Sequence, residues 1–311
     1  MADDPYKFAV SPLYTQNPFG EACHPNAPNG AGGQGYFVQA MPLGAEDYFN
    51  SRIPHPLSPA AVFLTPQRIT KAAASTAFDI RDIPAIMTAN GWTQGAALMN
   101  SWFKRPAHQL PKYDTPDTST ITMSWVLGFK RAKSVYDELV SERIWQNGPA
   151  RQQFAKICKA KGLIKDGVKT SASFGDFKRA VPDMDAESVN FRTTGTSVFQ
   201  IDDMDAALGR FVFKVLVKGS VSSNDGKKFS ATITEVGVYI KDSYDFEGDQ
   251  SLGYWDAKGK QASMYYLPSG TRVGNKDFQK WRTDHTMGGD FQVFSDLLVF
   301  KLDKPDSFET P

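Results

Sequence analysis

Two runs of alternating apolar residues, joined by a turn signal, constrain the fold of this chain more than any other feature. The first run spans residues 211–221 and the second spans residues 229–240. Asn224-Asp225-Gly226 lies between them and favours a tight β turn. A period of two residues places apolar side chains on one face of a strand. The runs predict an antiparallel pair within a strongly curved sheet or half-barrel over residues 186–311.

The preceding region has a different periodicity. Residues 76–185 carry apolar side chains at helical spacing, most clearly over residues 129–145, and this pattern predicts a helical part. Three alternating apolar residues predict one short strand within residues 120–126. Polar, Gly-containing and Pro-containing sequence over residues 166–190 predicts a linker, so we expect the domain boundary near residue 185.

Residues 1–75 are rich in proline and glycine. Proline removes backbone donors and glycine adds chain entropy, so long helices and strands are disfavoured here. The aromatic residues in this stretch predict an extended arm laid over the folded body. The fold class expected for the whole chain is therefore α+β, with a loop-rich N-terminal arm, a helical part and a C-terminal antiparallel sheet.

Composition narrows the classes of partner. The chain has 311 residues and a formal net charge of +1, so no basic excess indicates nucleic acid as a partner. No apolar stretch reaches the roughly 18 residues of a membrane-spanning helix, which predicts no transmembrane segment. The first residues lack the basic and apolar regions of a signal peptide, which predicts synthesis and folding in the cytoplasm.

An acidic stretch follows the second strand at once. Asp242, Asp245, Glu247 and Asp249 lie close together, with Tyr244 among them. Carboxylates packed so tightly repel one another unless a cation joins them or their pKa values separate. Hard oxygen ligands suit Mg²⁺ or Ca²⁺, which makes Asp242 and Asp245 candidate metal ligands. The structural alternative is an acidic turn solvated by water.

Two further candidates come from a short helical turn predicted near residues 277–282. Arg282 can clamp a phosphate with two hydrogen bonds, and His285 can act as an acid or a base near neutral pH. Each has a structural alternative, because Arg282 can pair with Asp290 and His285 can be a surface residue. Hydrolysis of a pyrophosphate or phosphodiester needs a cation or arginine, a base and a stabilised leaving phosphate. The candidate catalytic residues are Asp242, Tyr244, Asp245, Arg282 and His285.

The sequence Asp242-x-Tyr244-Asp245 at a strand end is similar to the Asp-x-Tyr-Asp motif of the colicin M family. That family consists of antibacterial toxins that hydrolyse lipid II, the undecaprenyl-pyrophosphate carrier of peptidoglycan precursors. Residues 205–211, followed by an alternating strand, also resemble its catalytic domain, so the resemblance covers about the last third of the chain. The family has His-Arg shortly after the second Asp, where this chain has Ser251 and Leu252. The resemblance implies that residues 281–285 supply the histidine and the arginine instead.

The whole chain, especially residues 125–131 and 288–295, also resembles an uncharacterised bacterial family found near type VI secretion genes. Together the resemblances imply an antibacterial toxin that is made in the bacterial cytoplasm and delivered by a secretion apparatus. It would hydrolyse lipid II in the periplasm of a target cell and have a cognate immunity protein. The alternative is a non-enzymatic adaptor, chaperone or interaction partner of a secretion effector, which the missing local His-Arg favours.

Overall fold

The computed structural model of the protein describes residues 78–111, 114–195 and 201–310. The arm predicted over residues 1–75 lies outside these ranges. The strands described are β1 (Thr170–Phe174), β2 (Asn190–Thr193), β3 (Val212–Ser223), β4 (Phe229–Tyr244), β5 (Ser251–Asp256), β6 (Gln261–Ser263), β7 (Thr271–Gly274), β8 (Phe291–Phe294) and β9 (Leu298–Thr310).

The predicted hairpin of β3 and β4 is the centre of the structure. The two strands pair antiparallel from Val212 opposite Lys241 to Ser223 opposite Phe229. Gly226 in the connecting turn has a φ of 71°, and a side chain there would collide with the backbone of the neighbouring loop. The prediction of an antiparallel pair over these residues is confirmed.

Four more strands extend the hairpin into a six-stranded antiparallel sheet. β1 and β2 pair with β3, whereas β8 and β9 pair with β4. Register shifts between Lys218 and Gly219 and between Ile233 and Glu235 bend the two central strands. The resulting sheet is curved and does not close, which confirms the predicted fold class of helices followed by an antiparallel curved sheet.

The other three strands form a smaller antiparallel sheet in the order β6-β5-β7. Trp255 on the middle strand pairs with Ala262 on one side and Thr271 on the other. Gly253 has a φ of 88° and lies within a register shift of β5. This irregularity lets Leu252 and Trp255 both lie on the buried side of the sheet.

Helices cover one face of the large sheet. Asn147 accepts a hydrogen bond from the Ala150 amide at 3.0 Å and begins a helix, as the sequence predicts. No helix within the described ranges is long and apolar enough to cross a membrane. The α-helices described are α1 (Ile83–Ala89), α2 (Thr93–Lys104), α3 (Met123–Val126), α4 (Lys130–Ser141), α5 (Gly148–Ala160), α6 (Val181–Met184), α7 (Asp203–Ala207) and α8 (Asn275–His285).

Two local predictions are wrong. Residues 120–126 were expected to form a strand, but they contain the short helix α3, and the Thr122 side chain caps it by accepting from the Trp125 amide at 3.3 Å. Met123 and Val126 are both buried, and their spacing of three residues fits one turn of helix. The linker expected over residues 166–190 contains β1 and α6, which polar composition did not reveal.

The helices and the large sheet share one hydrophobic core. Leu139 and Trp145 from the helical part belong to the same buried cluster as Phe213 and Val238 from the sheet. The segments predicted as a helical domain over residues 76–185 and a β domain over residues 186–311 therefore pack against each other. Their described residues fall in one compact unit.

The opposite face of β3 and β4 carries a buried ion-pair cluster. The carboxylate of Asp185 accepts hydrogen bonds from Lys214, from the Tyr239 hydroxyl at 2.7 Å and from Lys241 at 2.6 Å. Burial alone would raise the pKa of Asp185, but the two ammonium groups outweigh it and hold that pKa at about 2. Burial lowers the pKa of Lys214 to about 8. Here the fold neutralises a buried carboxylate completely.

Candidate active site

The pairing of β4 with β8 brings the acidic stretch that follows β4 close to Asp290, which precedes β8. Asp242 lies opposite Val293 and Tyr244 lies opposite Phe291. One step further along the two strands, Asp245 comes beside Asp290, which follows from the antiparallel register. The charge of Asp290 accordingly acts on the pKa of Asp245.

Asp242 and Tyr244 face the core. Asp242 is 5% exposed, and its Oδ2 atom has no hydrogen-bond partner in the described part of the chain. Burial, with a smaller contribution from Asp245, raises its pKa well above the ordinary value. Tyr244 stacks on Phe291, and its hydroxyl donates to the Met99 sulfur at 3.6 Å. Burial also raises the pKa of Tyr244, so the phenol stays protonated.

Asp245 is the carboxyl group of the site that is best suited to donate a proton. Burial raises its pKa to about 8, and the negative charges of Asp290 and Glu247 act in the same direction. A carboxylic acid with this pKa is largely protonated at neutral pH and can donate a proton. Burial in an apolar pocket raises the pKa of catalytic carboxylic acids in other enzymes in the same way.

A buried ion pair lies next to Asp245. The guanidinium of Arg282 on α8 contacts the carboxylate of Asp290, and its Nε donates to the Gly288 carbonyl at 2.6 Å. Trp102 donates its indole N–H to the same Asp290 oxygen at 2.7 Å. Burial raises the pKa of Asp290 to about 6, although Arg282 and Trp102 oppose that shift. The structural alternative for Arg282, pairing with Asp290, is therefore what the geometry shows.

The pair leaves buried polar atoms without partners. The Nη1 atom of Arg282 and the Oδ2 atom of Asp290 have no hydrogen-bond partner among the residues that the structure describes. The two side chains are 5% and 0% exposed. Unpaired buried groups of this kind are costly to folding, which makes their surroundings a candidate functional site.

His285 lies apart from this group. Its ring is exposed and stacks on the Trp281 indole with centroids 4.4 Å apart, and Nδ1 lies 2.9 Å from the Trp281 carbonyl. The groups that dominate the pKa values of Asp245 and Asp290 do not include it. The structure therefore brings Asp242, Tyr244, Asp245 and Arg282 together and places His285 at the surface end of α8.

A small apolar cleft with a cavity volume of about 30 Å³ adjoins Asp245. Asp245 and Tyr244 are the residues in its wall with ionisable side chains. One side is formed by the rings of Phe246 and Phe278, which stack with centroids 3.8 Å apart. The remaining residues that line the cleft are Ile83, Met87, Met99, Ala206, Ala207, Leu208, Gly209, Leu252 and Trp255. A carboxylic acid with a raised pKa in the wall of an apolar cleft is a candidate for chemistry.

Comparison with models of protein families assigns the chain to a family. A family of unknown function, DUF6402, matches residues 78–270 and 261–310. The chain belongs to this family. No curated protein and no solved structure matches it.

The two segments that match DUF6402 contain the whole site. Asp242 and Asp245 lie in the first segment, and Arg282 and Asp290 lie in the second. The antiparallel pairing of β4 with β8 is what joins them. The site is thus built from parts of the chain that the DUF6402 family defines.

The DUF6402 fold also positions a histidine that sequence reasoning missed. His108 Nε2 lies 3.0 Å from Asp114, which Arg105 also contacts at 2.6 Å. The Asp290 amide donates to the His108 carbonyl at 3.2 Å, and the His108 charge acts on the pKa of Asp290. These residues lie in an irregular loop, and isolated bridges from Pro106 to Met287 and from His108 to Gly289 fix its location.

The metal site predicted at Asp242 and Asp245 has two candidate carboxylates. Within residues 78–111, 114–195 and 201–310, no group of three or more His, Cys, Asp or Glu is arranged to hold a metal ion. Asp242 and Asp245 both have raised pKa values, so a cation would have to displace their protons. The described residues therefore do not form a complete metal site in this arrangement.

Proposed function

We propose that the protein is a hydrolase that cleaves the phosphate or pyrophosphate ester of a lipid-linked substrate. The observation that carries the proposal is Asp245, whose carboxyl group has a raised pKa in the wall of an apolar cleft. The buried pair of Arg282 and Asp290 lies beside it. Lipid II, or a related undecaprenyl pyrophosphate, is the substrate implied by the resemblance to the colicin M family.

Asp245 acts as the general acid in this proposal. Water attacks phosphorus and forms a new P–O bond, and the bond to the leaving oxygen breaks. The Asp245 proton passes to that leaving oxygen, and the carboxylate regains a proton from water. General acid catalysis of this kind contributes about 10²-fold to 10⁴-fold in rate. The Nη1 atom of Arg282, which the pair with Asp290 leaves without a partner among the described residues, is the donor that we propose for the reacting phosphate, whose negative charge grows in the transition state.

The charge state of the site supports an anionic substrate. At neutral pH the Asp245 carboxyl is largely protonated because burial raises its pKa to about 8, and burial also raises the pKa of Asp242 well above its ordinary value. The third carboxylate, Asp290, is neutralised by Arg282. The site therefore carries less negative charge than three ionised carboxylates would, and it repels a pyrophosphate less strongly.

Mg²⁺ or Ca²⁺ remains part of the proposal as a ligand to test. Carboxylate oxygens from Asp242 and Asp245 are chemically suitable, and phosphate oxygens would complete the coordination of such an ion. No catalytic step above depends on it. The delivery of the protein by a secretion apparatus, its action in the periplasm and a cognate immunity protein are likewise proposals that follow from the resemblances.

The test is hydrolysis of purified lipid II by the wild-type protein, Asp245→Asn and the exposed control Asp249→Asn. We expect Asp245→Asn to lose at least about a hundredfold in rate while remaining folded. Asp249 is an exposed partner of Lys276 and should be replaceable without loss of rate. Equal rates for all three folded proteins, or no hydrolysis by the wild type, would refute the enzymatic proposal and favour the adaptor alternative.

A further inference from the structure

The small sheet carries two adjacent exposed aromatic side chains. Tyr265 is 46% exposed and Tyr266 is 74% exposed, in the loop that joins β6 to β7. The ring of Tyr254 on β5 packs edge-on against Tyr266 with centroids 5.6 Å apart, which holds it in place. The other large apolar side chains that are exposed in the described ranges, Leu110, Val168 and Val299, are isolated from one another in sequence.

The same surface is basic. Lys258, Lys260 and Arg272 are exposed, and residues 257–272 contain no Asp or Glu. The lysines lie in the turn between β5 and β6, next to the pair Asp256–Gln261. The tyrosine loop begins after Ser263, which pairs with Tyr254. The last part of the tyrosine loop returns to the turn, because the carboxylate of Asp256 accepts a hydrogen bond from the Gly259 amide at 2.9 Å and also bonds the Ser269 side chain. We call residues 257–272 the tyrosine–lysine surface.

We propose that the tyrosine–lysine surface docks on an anionic lipid bilayer. Tyrosine has an apolar ring and a polar hydroxyl, and it settles at the boundary between lipid and water. Each lysine or arginine near an anionic membrane strengthens binding about fivefold, and salt weakens this attraction. Three exposed cationic side chains outnumber the buried Asp256 carboxylate that contacts this surface, so the surface keeps a positive charge. With its exposed aromatic pair, it therefore matches a layer of negatively charged headgroups.

This inference goes beyond the proposed hydrolysis, because binding to a bilayer does not depend on cleavage of a substrate. It also relates docking to the cleft, since β5 contributes to both. Leu252 and Trp255 from that strand line the cleft, whereas Tyr254 contacts the exposed loop. A protein docked through this sheet holds the wall of the cleft close to the bilayer in which a lipid-linked substrate resides.

The experiment is cosedimentation with vesicles of phosphatidylcholine alone or mixed with phosphatidylglycerol. We expect the wild type to bind only the anionic vesicles, and more weakly as salt is added. Lys258→Gln with Lys260→Gln should weaken binding about twenty-five-fold, and Tyr265→Ser with Tyr266→Ser should also weaken it. The matched controls are Lys156→Gln with Lys159→Gln on α5 and the exposed apolar change Val168→Ser, which should bind as the wild type does.

Several results would overturn the inference. They are absence of binding to anionic vesicles, equal binding to neutral vesicles, or an equal loss in the control variants. Retention of nucleic acid or of a protein through the same residues, without vesicle binding, would also do so. Asp245→Asn should bind vesicles like the wild type. Vesicle binding without hydrolysis therefore rejects the proposed reaction alone, and hydrolysis of detergent-dispersed lipid II without vesicle binding rejects the docking alone.

Discussion

Replacing Asp245 by Asn should change how the stability of the protein depends on pH. The folded-state pKa of Asp245 is about 8, whereas an unfolded Asp has a pKa of about 3.9. The folded state therefore holds a proton that the unfolded state has already lost in the range between these values. This group stabilises the fold fully below about pH 4, and that contribution is lost as the pH rises towards about 8.

The magnitude follows from one proton. Stability falls by about 1.4 kcal/mol for each pH unit in which the folded state binds one proton more than the unfolded state. Asp245 keeps some solvent exposure, so we expect a smaller total of about 2 kcal/mol between roughly pH 6 and pH 8. Asparagine keeps the shape of the side chain and has no proton to lose. The variant should therefore gain about 2 kcal/mol relative to the wild type across this range.

Urea unfolding and thermal melting at both pH values measure the effect. For a protein of this size, 2 kcal/mol corresponds to a shift in melting temperature of about 3 °C. Asp249→Asn is the control, because Asp249 is exposed and its pKa is lowered by its bond to Lys276. If the wild type and Asp245→Asn lose stability in parallel as the pH rises, Asp245 does not hold a proton in the folded state and the reasoning fails.

Three further predictions address the rest of the site. Asp290→Ala should lower the free energy of unfolding in urea by about 3–5 kcal/mol, because it leaves the buried charge of Arg282 uncompensated. A loss under about 1 kcal/mol would contradict the buried ion pair between Arg282 and Asp290. With pyrophosphate present to complete the coordination, calorimetric titration should show Mg²⁺ or Ca²⁺ binding that Asp242→Asn weakens at least tenfold, and unchanged binding would exclude Asp242 as a ligand. Toxicity in bacteria should require an added periplasmic targeting signal, whereas strong killing by the untargeted protein would contradict lipid II as the substrate.

The large sheet could be predicted because its central strands obey one local rule. Apolar residues recur every second position through β3 and β4, and both strands are long enough for the pattern to be unambiguous. The short segment over residues 120–126 offers only three alternating residues, and Met123 and Val126 fit a helical turn equally well. β1 has the polar sequence Thr-Ser-Ala-Ser-Phe, and its place at the side of β3 depends on pairing that composition does not reveal.

The candidate site could be predicted only in part. The acidic stretch is visible in sequence, and so is the arginine of α8, because each lies next to a periodic element. The contact between Asp245 and Asp290 depends on the register of β4 against β8, which no local pattern sets. The location of His108 depends on a bridge from an irregular loop to Gly289. The surface location of His285 follows from the length of α8, which runs further than the predicted turn.

Two adjacent residues of β4, Lys241 and Asp242, show that the fold treats buried charges differently on the two faces of the sheet. Lys241 points to one face of the sheet, where it helps two other groups to compensate Asp185 and to lower its pKa to about 2. Asp242 points to the other face, where its pKa rises and its Oδ2 atom finds no partner within the described residues. The fold is thus able to neutralise a buried carboxylate, and it does so one residue away. Buried polar groups without hydrogen-bond partners and with shifted pKa values occur most often at functional sites. The uncompensated carboxyls around Asp245 are therefore where the chemistry of this family should be sought first.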